Sequence, residues 1–303
     1  MIEWQQATCY LNGEWMPLAE ARIPVLDRGF IFGDGVYEVV PVDAIGQGRA
    51  PFRARQHFER LQRSLDGVRI ANPFSLERWL DLTAEIVERN PWPRQLVYVQ
   101  VTRGVAKREH QFPTGVAPTI LISTSPWSEI PAEQIERGIA VVSHVDERWL
   151  HCDLKSTSLL GSVLMKQYAF DRGVSETLLL RDGFLTEGSS TNLMIVVNGA
   201  LIAPRKSTQI LPGITVDAVL DIARARGLPV ELRPVPEAEV RAADELWLSS
   251  SGREVLAVTQ LDGKSIGGGV PGPAYRQMLA WFQESKLDDA RRWHAEGRRR
   301  LAA

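Results

Sequence analysis

Six lysines stand against 29 arginines in this 303-residue sequence, and one of the six is set apart by its neighbours. Lys107, Lys166, Lys206, Lys264 and Lys286 fall in polar turns or on helices, where a solvated cation is the ordinary outcome. Lys155 follows ERWLHCDL, read as an extended, partly buried segment through Trp149, Leu150 and Leu154, and precedes STSLLG, where a helix is expected to begin. A lysine placed so is either paired or has its pKa lowered by desolvation, and a lowered pKa is what a Schiff-base nucleophile requires. Glu187, in LTEGSSTN, is read as standing directly after a strand and before three hydroxyl-bearing residues and an Asn. Buried, it could hold a protonated ring nitrogen; otherwise it is a turn residue capping local amides. LPGIT, Leu211 to Thr215, puts a Pro-Gly turn at a helix start, where the amides of Ile214 and Thr215 bind a phosphate or merely open a capped helix. Arg60, on a helical face, balances a phosphate or pairs with Glu59 or another neighbour. Taken together, a Schiff-base lysine, a carboxylate for a ring nitrogen and an amide nest are the three parts of a pyridoxal 5'-phosphate site.

The elements that must carry these residues read as α+β. TCYLNGEW is a strand with an Asn12-Gly13 hairpin turn, and VYEVVPV and APFRA are further strands. RQHFERLQRSLDGVRI sets Phe58, Leu61, Leu65 and Val68 at helical spacing, and SLERWLDLTAEIVERN repeats the pattern behind a Ser75 cap. QLVYVQVTRG and APTILIST are β-branched runs of strand length. Ser125-Pro126 and Ile130-Pro131 place a linker at 124–131 between an N-terminal domain, 1–125, and a C-terminal domain, 131–286. In the second domain GIAVVSHV, ETLLLRDGFLTEG and NLMIVVNGALIAP are strands, with turns at Asp182-Gly183 and Asn198-Gly199. SLLGSVLMKQYAFDRG, GITVDAVLDIARARG and about Tyr275 to Lys286 are helices, and 287–303 is a polar, Arg-rich tail.

Composition narrows the function classes. A formal charge of −2 with no basic patch before the tail argues against nucleic acid. No apolar run is long enough for a membrane span, and MIEWQQATCY lacks the pattern of a secretory signal. Two cysteines, Cys9 and Cys152, make no disulfide framework, so a cytoplasmic location is expected. The five histidines are scattered without ligand spacing, so no metal is expected. Gly267-x-Gly269-x-x-Gly272 matches a dinucleotide fingerprint in letters but opens no βαβ unit and reads as a surface loop.

The series LDRGFIFGDGVYEVV, QHFERL, VTRGVAKREHQFP, RWLHCDLKSTSLLGSVLMKQ, LTEGSSTN, LPGIT and DELWLSSSGREV, in that order from about Tyr10 to Phe282, resembles the fold type IV pyridoxal-phosphate enzymes. That family holds the D-amino acid and branched-chain aminotransferases and aminodeoxychorismate lyase. The resemblance implies a smaller N-terminal α/β domain, a larger C-terminal domain with a mixed, barrel-like sheet, and a homodimer whose subunits share their active sites. It implies Lys155 as the Schiff-base and proton-shuttling lysine and Glu187 as the acid at the pyridine nitrogen. Arg60, Ile214, Thr215, Ser250 and Ser251 fall at the phosphate, Leu211 under the ring, and Tyr37 near cofactor and substrate. Arg108 and His110 match the Arg-x-His pair that takes the substrate α-carboxylate in the D-amino acid branch, reaching in from the other subunit.

The resemblance thus implies transamination from a D-amino acid such as D-alanine to 2-oxoglutarate or pyruvate. Branched-chain L-amino acid transamination and a lyase reaction are the alternatives within the fold, and a non-catalytic cofactor-binding module the alternative outside catalysis. Ser251-Gly252-Arg253 departs from the Thr-rich run of the family pattern, which touches side-chain preference.

Overall fold

The computed structural model describes residues 6–46 and 48–302, with side chains described as far as Gly297. The N-terminal reading against a secretory signal, as far as it rests on residues 1–5, and the end of the Arg-rich stretch lie outside the described residues. The chain divides into two compact units, residues 1–128 with 154–159 and 286–303, and residues 129–153 with 160–285. Both short excursions are absent from a simple division at the 124–131 linker, and strand structure runs through Pro126.

The first unit is an antiparallel sheet of β1 (Thr8–Leu11), β2 (Glu14–Pro17), β3 (Gly35–Ile45), β4 (Gly48–Pro51), β5 (Gln95–Thr102) and β6 (Thr119–Pro126), in the order β2-β1-β6-β5-β3-β4. Asn12 and Gly13 both take positive φ in the turn joining β1 and β2, as an Asn-Gly hairpin requires. A short helix, α1 (Arg28–Phe32), precedes β3. Helix α2 (Ala54–Val68) puts Phe58, Leu61 and Leu65 into the core, and α3 (Leu76–Arg89) adds Trp79, Leu80, Leu82 and Ile86. The Ser75 hydroxyl accepts the Arg78 amide at 3.2 Å, which is the expected cap of α3.

In the second unit the strands β7 (Ile139–Val145), β8 (Glu176–Arg181), β9 (Phe184–Gly188), β10 (Asn192–Val197), β11 (Ala200–Ala203), β12 (Val230–Leu232), β13 (Glu245–Ser250), β14 (Glu254–Leu261) and β15 (Lys264–Ser265) form one mixed sheet. Its order is β12-β11-β10-β13-β14-β7-β8-β9, with β15 pairing beside β14, and it curls into a half-barrel. Parallel pairing is confined to β7 with β8, β7 with β14, and β11 with β12. Around the sheet lie α4 (Ala132–Arg137), α5 (Leu160–Phe170), α6 (Ile214–Ala225) and α7 (Glu237–Ala242); α6 packs on β13 and α5 on β8.

The last helix, α8 (Pro273–Ala302), does not stop at Lys286 as the sequence reading has it but continues through the Arg-rich stretch. The reason is an inward stripe that the arginine count hides. Ala290 is buried, Trp293 packs against the first unit's core, Lys286 Nζ pairs with Asp43 at 2.6 Å, and Asp289 accepts the Arg53 amide at 2.6 Å. None of the helices is long and apolar enough to cross a membrane, among the described residues.

Trp79 is 1% exposed and stacks on Phe58 with centroids 5.7 Å apart. Truncating so large a buried ring leaves a cavity that a sheet-backed helix cannot close. Trp79→Ala is expected to destabilise the first unit by about 3–5 kcal/mol, read as a lower denaturant midpoint at unchanged slope.

Candidate functional site

Lys155 lies in the first unit, in the segment that returns to it from the second. The stretch before it is not the predicted strand: 146–155 is irregular, with Trp149 and Leu150 about half exposed. Its apolar residues mark a surface rather than a strand core. What fixes Lys155 is its own backbone. The Lys155 carbonyl accepts the Tyr37 amide at 2.9 Å, its amide donates to Ser64 Oγ at 3.1 Å, and Ser156 bridges to Val36. Thr157 adds its amide and hydroxyl to the carbonyl of Gly35, at 2.9 and 3.2 Å. The half-buried Lys155 side chain therefore rises beside β3 with its Nζ 4.3 Å from the centre of the Tyr37 ring, a cation–π distance. Tyr37 in turn lies against Tyr98, centroids 5.6 Å apart.

Behind Tyr37 is a buried polar cluster. Glu38 is fully buried and accepts Arg60 Nε on Oε1 at 2.7 Å and Arg60 Nη2 on Oε2 at 2.8 Å, and His57 Nδ1 lies 2.7 Å from the same Oε2. Arg60, expected at the phosphate or in a pair with Glu59 or another neighbour, forms a bidentate pair across to Glu38 on β3, the geometry a guanidinium favours. Burial works against ionisation of Glu38, yet Arg60 and His57 hold its carboxyl down at about 2. Burial also lowers the His57 pKa, against the pull of Glu38.

Glu187 belongs to the second unit, as the penultimate residue of β9 rather than the residue after the strand. It is buried, with Arg148 Nη1 donating to Oε1 at 2.6 Å and the Leu211 amide and Asn192 Nδ2 donating to Oε2 at 3.0 and 3.2 Å. Arg148 is itself fixed by Asp146 through Nε and Nη2, each at 2.9 Å, and Asp146 accepts Thr186 Oγ1 at 2.9 Å and pairs with Arg181 at 3.1 Å. Burial pushes the Glu187 carboxyl up to about 7, against the lowering pull of Arg148.

Asn192 ties this carboxylate to the start of α6. Its amide nitrogen also donates to the Leu211 carbonyl at 2.9 Å, and a Cβ on Gly213 would meet its Oδ1 at 1.9 Å. Only glycine lets the chain pass there. Gly213 is the N-cap of α6 with no side-chain cap, and Ile214 and Thr215, both buried, are the first helical residues. Uncapped N-terminal amides at a helix start suit a phosphate. Ser250 ends β13 and Ser251 follows it, both half-buried.

Arg108 and His110 lie exposed between β5 and β6 in the first unit. They meet on one ring: the Arg108 guanidinium is 5.4 Å from the Phe32 centroid, and the His110 ring is 5.4 Å from it. Arg108 has no ion pair among the described residues, so its charge is open to an incoming carboxylate.

The residues of each unit, taken by itself, fit part of pyridoxal phosphate. In the second unit a deep carboxylate with a fixed cation behind it suits a ring nitrogen and the cradle at Gly213 with its uncapped helix suits the phosphate; in the first a lysine beside a tyrosine face suits the aldehyde. Sequence reasoning missed Arg148, Asp146, Glu38, His57 and Arg28. For Arg148 a signal existed, an arginine inside the apolar WL-rich stretch, but its partner lies 39 residues away.

Residues 35–261 match the Amino-transferase class IV family. The D-alanine aminotransferase of Bacillus licheniformis is 35% identical over 278 residues, covering 92% of this chain and 96% of that protein. That of Staphylococcus aureus (strain MSSA476) is 36% identical over 276 residues, 91% of this chain and 96% of that protein. Among solved structures, the T.th. branched-chain amino acid aminotransferase with pyridoxamine 5'-phosphate superposes with a TM-score of 0.90 over 97% of this chain and 98% of that one. The branched-chain enzyme of Escherichia coli gives 0.86 over 94% and 96%. At 24% identity both likenesses speak for the fold alone.

The titration of Glu187 predicts a pH effect on the cofactor-free protein. Its ordinary value is 4.5 and its folded value about 7, so between the two the native state holds a proton that the unfolded chain has released. Unfolding free energy should fall as pH rises through that window. Chemical denaturation across the window should show the fall, and Glu187→Gln should flatten it.

Proposed function

Because this chain belongs to the class IV amino-transferases, a pyridoxal-phosphate family, we propose that it moves the amino group of a D-amino acid, such as D-alanine, to 2-oxoglutarate or pyruvate. The observation that carries this reading is the junction of Lys155 with the Tyr37 face on β3, which offers one amine, backbone-anchored, to a reactive carbon. Identity near 35% to D-alanine aminotransferases over most of both chains supports the D side, as does Arg108 beside His110, without an ion pair among the described residues. The branched-chain likeness, at 24% identity, supports no substrate.

When bound, pyridoxal phosphate supplies an aldehyde for the amine and a ring that takes up the electrons left as Cα loses its proton. The chain's own residues do the rest. Arg108 forks onto the substrate α-carboxylate, and His110 adds a hydrogen bond. With the cofactor bound, Lys155 would take the proton from the substrate's Cα and deliver it to the cofactor's C4', acting as general base and then as general acid. Glu187, backed by Arg148, holds the ring nitrogen in its protonated form. Arg60, Ser250, Ser251 and the amides of Ile214 and Thr215 bind the phosphate, and Leu211 supports the ring. The acceptor oxo acid then runs the same steps in reverse, so the kinetics are ping-pong.

We assign the active unit to a homodimer in which Arg108 and His110 serve the partner subunit's site. Support comes from α5, whose Leu160, Val163, Leu164 and Phe170 are between 56% and 75% exposed, an apolar face of the kind that a partner covers. Two buried cysteines that remain free thiols agree with a cytoplasmic home.

Four outcomes test the reading. Purified enzyme with 2-oxoglutarate should deaminate D-alanine faster than L-leucine; the reverse order moves it to the branched-chain group. Turnover without any acceptor oxo acid would make it a lyase. Lys155→Ala should lose the visible absorbance of the bound cofactor and fall at least about 10³-fold in kcat, and an unchanged spectrum would refute the lysine assignment. Val163→Asp with Leu164→Asp should shift the protein from dimer to monomer in sedimentation and cut activity with it.

A further inference from the structure

Arg28 is 3% exposed, and its guanidinium is spent entirely inside the first unit. Nε donates to Asp34 Oδ2 at 2.8 Å, Nη1 to the carbonyl of Glu109 at 2.5 Å, and Nη2 to the carbonyl of His110 at 3.4 Å. Its plane also lies 4.8 Å from the Phe32 centroid, on the ring that Arg108 and His110 share. Asp34 is held from the other side by Arg103, through Nε at 2.8 Å and Nη2 at 3.0 Å, and Arg103 is anchored on the carbonyls of Val68 and Arg69 at the end of α2.

The seat of Arg28 is built with equal care. Asp27 caps α1 by accepting the Gly29 amide at 2.8 Å and accepts Thr119 Oγ1 at 2.6 Å, so the helix start is pinned to β6. A Cβ on Gly29 would lie 2.2 Å from Thr102 Cγ2, which leaves only glycine after Arg28. The Arg28 amide donates to the Gly104 carbonyl at 2.9 Å, and Asp27 bridges to Val105, so the base of the 103–118 loop is stitched to the same turn. Farther out, the Lys107–Glu109 pair at 2.7 Å is exposed and weakened by water and salt, and the Phe112 ring lies 3.7 Å from the Arg103 guanidinium and 4.7 Å from that of Arg69, while Arg28 is the residue that holds the 109 and 110 carbonyls. The two carbonyls that Arg28 holds belong to the residue after Arg108 and to His110 itself. Fixing those two peptide planes fixes where the flanking side chains project. A guanidinium does this because its fork carries donors for two successive carbonyls and for Asp34 at once; an ammonium is a single point of charge.

We propose that Arg28 is the positioning residue of the carboxylate-binding loop: by gripping the Glu109 and His110 carbonyls it presets Arg108 and His110 for substrate. The proposal rests on the assignment of Arg108 and His110 to the α-carboxylate. Donor amino acid and acceptor oxo acid both carry that carboxylate, so both half-reactions depend on Arg28. The lysine and cofactor residues do not touch it, so cofactor binding is independent of it.

The test is a double-mutant cycle on the holoenzyme, with Arg28→Met, Arg28→Lys, Arg108→Leu and the double variant Arg28→Met/Arg108→Leu. Arg28→Met should raise KM for D-alanine and for 2-oxoglutarate by about tenfold each while kcat changes less than about threefold, with the cofactor absorbance intact. Arg28→Lys should recover part of the loss, and should carry the same pattern, smaller, if the Met variant does not fold. In the Arg108→Leu background Arg28→Met should add much less to KM than it does in the wild type, the remainder acting through His110, since a residue acting through another shows little separate effect once that other is gone. An unchanged KM in both Arg28 variants, or a full additional rise in the Arg108→Leu background, overturns the proposal. If Arg108→Leu alone leaves both KM values unchanged, the carboxylate assignment is what fails. Tryptic cleavage after Arg108 then judges the grip of Arg28 on the loop separately: about tenfold faster cutting in Arg28→Met upholds the grip, and an unchanged rate overturns it.

Discussion

A carboxylate shut away from water must be met by a fixed cation or by several donors, or it takes up a proton. That constraint recurs at Glu38, Glu187, Asp34 and Asp146, and each time an arginine answers it. The planar fork of arginine suits this duty, because it can meet both oxygens of a carboxylate while reaching a carbonyl as well. Glu187 is positioned by Arg148, Arg148 by Asp146, and Asp146 by Arg181 and Thr186.

The pairs differ in how far they balance. Glu38 meets two donors from one guanidinium and a histidine, and stays ionised well into acid. Glu187 meets a single guanidinium nitrogen and two neutral donors, and burial wins enough to bring it near neutrality. The difference suits their places. Glu38 keeps a permanent charge behind Tyr37, whereas Glu187 has room for one further cationic partner.

Much of this is legible in the residues. Asn12-Gly13, Asp182-Gly183 and Asn198-Gly199 announce hairpins because two successive positive φ angles are cheap for few other residue pairs. The periodic helices α2, α3 and α6 declare their buried faces, and Lys155, Glu187 and LPGIT stand out through local order. The Lys155 segment misleads because Trp149 and Leu150 suggest burial to any pattern rule, although here they face solvent. The Arg-rich stretch misleads in the opposite sense, since its few inward residues, Ala290 and Trp293, are outnumbered by charge. The arginine pairs are not legible, because Arg28 meets the 109–110 carbonyls 81 and 82 positions away, and Arg148 meets Glu187 across 39. Tertiary structure alone chooses such partners.

The path of the chain between its two units has a consequence for biosynthesis. Residues 154–159 and 286–303 complete the first unit, the former bringing Lys155 and the latter the Lys286–Asp43 pair and the Asp289 contact to Arg53. As the polypeptide leaves the ribosome, its opening 128 residues therefore emerge without the segments that finish their own fold. They must wait, partly assembled, until residues 286–303 have been made, and contacts over such a separation form slowly. Nascent intermediates of this kind expose unsealed apolar surface and are natural clients for chaperones.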